Sequence, residues 1–123
     1  MKRQLWLWAP PLAYAGLIFY LSSRPVPEAI APPEGLDKVY HLAEYAVLGA
    51  LLARAFLGAG ARTAILWAGL LGAAYGLTDE VHQYFVPSRS AEVLDAVADA
   101  AGSFLGAWLY ALAARLASTP GAR

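Results

Sequence analysis

A chain of 123 residues is long enough for one domain and too short for two comfortable ones. Hydrophobic residues make up 59% and charged residues 15%, against roughly 45–50% and about 25% in an average soluble domain. With a mean hydropathy of +0.48, this is the composition of a membrane protein. A net charge of zero gives no reason to expect a nucleic-acid partner, and the absence of cysteine excludes disulfides, thiolate nucleophiles and thiolate metal centres.

The patterning predicts an all-α membrane protein, a single domain over 1–123, with helices over about 5–22, 37–57, 62–86 and 91–116 and an outer loop over 23–36. The first apolar run follows the basic Met1-Lys2-Arg3-Gln4 and continues past Ala13-Tyr14-Ala15 to Leu21. That is longer than the core of a signal peptide, so it reads as an uncleaved span, near the lower length limit. Pro10-Pro11 should bend it, and Trp6, Trp8 and Tyr20 stand near its ends, where amphipathic rings favour the headgroup level. Ser22 to Gly35 holds four prolines and two glutamates and cannot continue a helix.

The second segment carries Asp37, Lys38, His41, Glu44 and Tyr45 in its first turns and is then apolar apart from Arg54. The third ends at Pro87 and contains Gly72 and Gly76, at the four-residue spacing that lets helix backbones approach. The fourth begins near Ser90, a candidate N-cap, and repeats that spacing at Gly102 and Gly106.

Four spans make a transmembrane bundle with both termini on one side. Lys2, Arg3, Arg54, Arg62, Arg115 and Arg123 fall on that side, against Arg24, Lys38 and Arg89 on the other. The positive-inside rule therefore predicts cytoplasmic N- and C-termini. All nine acidic residues fall on the outer side, a segregation that insertion does not require.

Helical rise places Glu44, Asp79 and Asp99 at a common depth, each about 10 Å below the outer end of its helix. Asp37, His41, Glu44 and Leu48 form one stripe; Asp79, His82 and Gln83 form a second; Asp95, Asp99, Gly102 and Gly106 form a third. Ionisable residues at membrane depth avoid lipid by meeting one another. The expectation is a polar cavity open to the outside and lined by segments two, three and four, with the first helix as a wall.

The residues of that cavity support several chemistries. Asp37, His41, Asp79, Glu80, His82, Asp95 and Asp99 are candidate catalytic groups, because carboxylates crowded in a low-dielectric site cannot all stay ionised and an adjacent imidazole can then shuttle protons. His41 with Glu44, and His82 with Asp79, are carboxylate–histidine pairs at three-residue spacing. Facing pairs of this kind can hold zinc, iron or manganese in a helix bundle. A hydrogen-bonded network with no metal fits the same pattern. Arg89 is either a clamp for an anion or a counter-ion for Asp79, Glu80, Asp95 or Asp99. Gln83, Glu44 and Tyr45 are candidate substrate contacts, although Tyr45 also fits a core position. A hydroxyl nucleophile from Ser88 or Ser90 beside His82 is a weaker alternative.

Three runs resemble the VanZ-like family. They are Asp37-Lys38-Val39-Tyr40-His41 followed by Tyr45 and Leu48-Gly49, Thr78 to Gln83 followed by Phe85 to Arg89, and Asp95, Asp99 and Gly102. Ser88 stands where the family commonly has glycine, and Asp99 where it commonly has asparagine. The resemblance implies a small polytopic protein of the bacterial cytoplasmic membrane, akin to one associated with low-level teicoplanin resistance. It implies functional weight at Asp37, His41, Asp79, Glu80, His82, Gln83, Arg89, Asp95 and Asp99, without a mechanism. Two functions follow as expectations. One is an enzyme acting on a lipid-linked or peptidoglycan-related envelope component; the other is a non-catalytic protein that binds or shields a lipid or glycopeptide. An ion or proton pathway is third, because the inner halves of the segments hold no acid or histidine.

Overall fold

The computed structural model describes residues 1–87 and 89–121; Ser88 and Arg123 lie outside them. The described residues form four α-helices and one 3₁₀ turn, with no strand. The helices are α1 (Lys2–Ser22), α2 (Leu36–Gly58), α3 (Ala64–Tyr84) and α4 (Val93–Ser118), and the turn (Glu28–Ile30) lies in the proline-rich connection. Helices α1, α2 and α4 are long and apolar enough to cross a membrane. Helix α3 is not among them, because Asp79, Glu80, His82 and Gln83 occupy its last two turns.

The predicted elements are all present, with corrected ends. Helix α1 starts three residues earlier than the apolar run, at Lys2. Helix α4 starts at Val93 with Glu92 as its N-cap, so Ser90 does not cap it. The reason is that Glu80 reaches from α3 to the Glu92 backbone, with Oε2 accepting its N–H at 3.2 Å. An external carboxylate thus takes the place of a local hydroxyl cap.

Helix α1 runs unbroken through Pro10 and Pro11. Each proline lacks the N–H that would satisfy the carbonyl four residues earlier, which strands Trp6 O and Leu7 O. Arg54 of α2 answers both: its Nη1 donates to Trp6 O at 3.1 Å and to Leu7 O at 3.4 Å. Its guanidinium also sits over the Trp6 ring, 5.1 Å from the centroid. The lone charge in the inner part of α2 is therefore a backbone patch for its neighbour. Arg3 closes the same corner by donating to Gly58 O at 2.6 Å.

The most extensive helix pairing is α2 with α4, followed by α3 with α4. Small residues set the α2–α4 distance. A Cβ on Gly49 would run into the Ser103 backbone, one on Gly102 into Leu42, and one on Gly106 into Ala46. This is the close approach that four-residue glycine spacing permits. Ser103 is fully buried, and its hydroxyl donates to Ala68 O at 3.1 Å, tying α4 to α3. The apolar core is built on Ile18, Tyr45, Leu48, Leu52, Ala53, Ala68 and Ala107.

Candidate functional site

The outer turns of α2 and α4 meet first. His41 Nδ1 lies 2.7 Å from Asp99 Oδ1, and its Nε2 lies 3.8 Å from Asp95 Oδ2. One turn outward, Lys38 Nζ bridges Asp37 Oδ2 at 2.8 Å, Glu92 Oε2 at 2.5 Å and Asp95 Oδ1 at 2.6 Å. Asp95 and Asp99 share one face of α4, and Lys38 and His41 share one face of α2, so the ladder follows from helical spacing. Short aspartates span the gap because Gly102 brings the α4 backbone against Leu42.

Helix α3 adds Asp79, Glu80 and Gln83, all buried. Gly76 makes the room: a Cβ there would meet the Cβ of Asp99. As a result, Asp79, Glu80 and Asp99 each bring a carboxylate oxygen within 4.8 Å of the others. Carboxylates from α3 and α4 thus converge with His41 of α2 at one level. Their neighbour Tyr45 is fully buried, with its hydroxyl beside the Asp79 carboxylate.

Above this cluster a cavity of about 590 Å³ opens outward beneath residues 31–35. Its lining includes Asp37, Lys38, His41, Gln83, Arg89 and Asp95. Glu92 lines it too, and also lines a separate apolar groove of about 390 Å³ formed by Leu77, Val81, Tyr84, Phe85 and Val93 between α3 and α4. A larger recess of about 850 Å³ at the opposite end, between Leu66, Phe104 and Trp108, contains no acid or histidine.

Several expectations change. His82 does not pair across the site with His41. Its Nε2 lies 2.8 Å from Ser23 Oγ, and its ring stacks on Phe19 with centroids 4.5 Å apart. It faces α1 because it is three residues on from Asp79, at the edge of the α3 stripe. The facing pairs His41–Glu44 and Asp79–His82 therefore do not assemble as one metal set. The described ligand groupings are His41, Glu80 and Asp95; Asp37, Glu92 and Asp95; and Asp79, Glu80 and Asp99. Arg89 is not a counter-ion for Asp79, Glu80, Asp95 or Asp99 among the described ion pairs. Its Nε donates to Arg24 O and its Nη2 to Leu21 O, each at 2.8 Å, which fastens the loop to the C-terminal end of α1. The first helix is thus more than a wall. It receives His82 and Arg89, and Tyr75 of α3 donates to its Ala15 O at 2.5 Å.

Of the residues expected to line the cavity, Asp79, Glu80, His82 and Asp99 do not, and neither do Glu44 and Tyr45, which lie a turn along α2 from His41. The Glu44 backbone carbonyl accepts from Tyr14 at 3.0 Å. Ser88, the weaker nucleophile candidate, lies outside the described residues, and Ser90 lines the cavity rim. Lys38 is the member that pattern reasoning left out. Its signal was present, since it stands three residues before His41 on the same helical face.

Long apolar helices enclosing an acidic, imidazole-bearing site define a helical membrane protein with a buried polar centre. The chain belongs to the VanZ/LLP1 family, whose pattern it matches over residues 6–114. Comparison with curated proteins gives no match, and comparison with solved structures gives none.

Proposed function

We propose that this VanZ/LLP1 protein is a single-domain, four-span protein of the bacterial cytoplasmic membrane, with both termini cytoplasmic, that binds and acts on a lipid-linked component of the cell envelope. The observation that carries this reading is the junction of two unlike spaces at Glu92: a charged cavity at one end of the bundle and an apolar groove between α3 and α4. An amphiphile fits that junction, with its headgroup in the cavity and its chain in the groove. Asp99 orients His41 for proton transfer, and Lys38 and Arg89 share the cavity wall with Glu34, Asp37, Glu92 and Asp95, so the wall offers both signs of charge to a polar headgroup.

A second reading is a protein that binds or shields an envelope lipid or glycopeptide without turning it over, with glycopeptide resistance of the teicoplanin type as its outcome. It is favoured by the apolar groove, which suits retention as well as it suits catalysis. Native mass spectrometry of the protein released from gentle detergent separates lipid binding from none. Retained lipid that is lost in Lys38→Ala supports the pocket, and no retained lipid from any preparation rejects both readings. Once the lipid is known, turnover by the wild type that vanishes in His41→Ala while the lipid still binds selects the enzyme.

A further inference from the structure

We propose that Asp79, Glu80 and Asp99 hold a hard divalent cation of the Mg²⁺ or Mn²⁺ class, buried behind the cavity wall that His41 and Asp95 form. The three side chains belong to residues that are 5%, 6% and 0% exposed, and their carboxylate oxygens lie within 4.8 Å of one another. Among the described ion pairs none brings a lysine or arginine to them: Lys38 is engaged by Asp37, Glu92 and Asp95. Two imidazoles stand near them, His41, which is bonded to Asp99, and His82, which lies near Asp79. Buried carboxylates at this spacing are relieved either by protonation or by a positive charge, and a bound cation supplies the second.

Acidity alone does not make a site; the state of the individual oxygens does. Glu80 is anchored through Oε2 to the Glu92 backbone, and its Oε1 is buried without a partner. Asp99 is anchored through Oδ1 to His41, and its Oδ2 is buried without a partner. Each carboxylate is thus fixed by one oxygen and presents the other. The free Asp99 oxygen faces α3, where a Cβ on Gly76 would stand 3.0 Å from it. Asp79 and Glu80 project from that same helix one turn further on. Asp79 is held from the other side by the Ser22 and Tyr45 hydroxyls, and Tyr45 is fully buried at the same level.

The donor set is all oxygen, which selects hard cations over zinc. The His41–Asp99 bond then acts as the outer support that holds a ligating carboxylate in place. This set shares only Asp79 with the His41, Glu44, Asp79 and His82 grouping suggested by spacing. The site lies beneath the proposed headgroup position, but cation binding is measured without lipid, so either assignment can fail alone.

The test is a Mn²⁺ titration of delipidated protein in detergent, read by electron paramagnetic resonance and followed by displacement with Mg²⁺. The expected result is one bound Mn²⁺ per chain. Binding should weaken about ten-fold or more in Glu80→Gln and in Asp99→Asn, and should be unchanged in the exposed control Glu28→Gln. The neutral variants keep side-chain shape, and gel filtration with circular dichroism checks their fold. Should they misfold, the wild type alone decides, through a Tm that rises with Mg²⁺ and saturates. Absence of a bound Mn²⁺ overturns the proposal. So does binding that survives both variants, or that is lost in Asp37→Asn and kept in Glu80→Gln, which would place the cation among Asp37, Glu92 and Asp95.

Discussion

His41 links two chains of polar contacts, and its removal should be felt by both. Asp99, with no exposed surface, would lose the imidazole that holds its Oδ1. Leaving a buried polar group unsatisfied costs about 1–3 kcal/mol. His41→Ala should therefore lower the Tm of the purified protein, while His41→Ala combined with Asp99→Ala should recover part of that loss, because both partners then go. A double variant no more stable than His41→Ala would show that the pair does not act as a unit. At this scale the spacing of Asp95, Asp99, Lys38 and His41 was legible, since helical geometry places them on stripes. Which histidine would meet which carboxylate was not, because that depends on how each helix is rotated about its axis. His82 shows the limit: its stripe pointed inward by pattern, yet its ring stacks on Phe19.

Among helices, contacts are decided by what each backbone lacks. Arg54 donates to the carbonyls that Pro10 and Pro11 strand. Arg54→Ala should destabilise the protein by about 1–3 kcal/mol. Pro10→Ala with Pro11→Ala should shrink that penalty by restoring the two N–H groups, and thermal melts of the four proteins of the cycle measure the coupling. Equal penalties in the two backgrounds would remove the assignment. Glycines give a contrasting pair. Gly106→Ala drives a methyl into the Ala46 backbone, and overpacking of this kind costs about 1–3 kcal/mol. At Gly16 nothing stands within 4 Å, so Gly16→Ala should be neutral or should stabilise by up to about 1 kcal/mol, the helix-propensity gain. The four-residue glycine spacing was readable in advance. Its partners, Leu42, Ala46 and Ser103, emerged only from the packing of α2 on α4.

For the molecule as a whole, sidedness is the property that the proposed pocket depends on, since an outer-leaflet headgroup needs an outward opening. The chain has no cysteine, so single introduced thiols report cleanly. Ala31→Cys, at the cavity roof, should react with an impermeant maleimide on intact cells, and Thr119→Cys, past the end of α4, should react only after the membrane is opened. The reverse pattern would invert the protein and place the cavity in the cytoplasm. Labelling of both in intact cells would remove α3 as a span, since two crossings between the positions in place of three put both on the same side.

The sequence by itself determined the helical membrane character, the order of four helices, the proline-rich connection and the clustering of acids toward one end of the bundle. Each of these follows from hydropathy, residue spacing along one helix, or breakers that act within a turn. The tertiary structure alone decided that Lys38 ties Asp37, Glu92 and Asp95 together, that Arg89 and His82 turn to α1, and that Asp79, Glu80 and Asp99 share one small space. The physical reason is that these contacts join residues far apart in sequence. They depend on the distance and rotation between helices, which glycine contacts and stranded carbonyls set jointly and no single segment encodes.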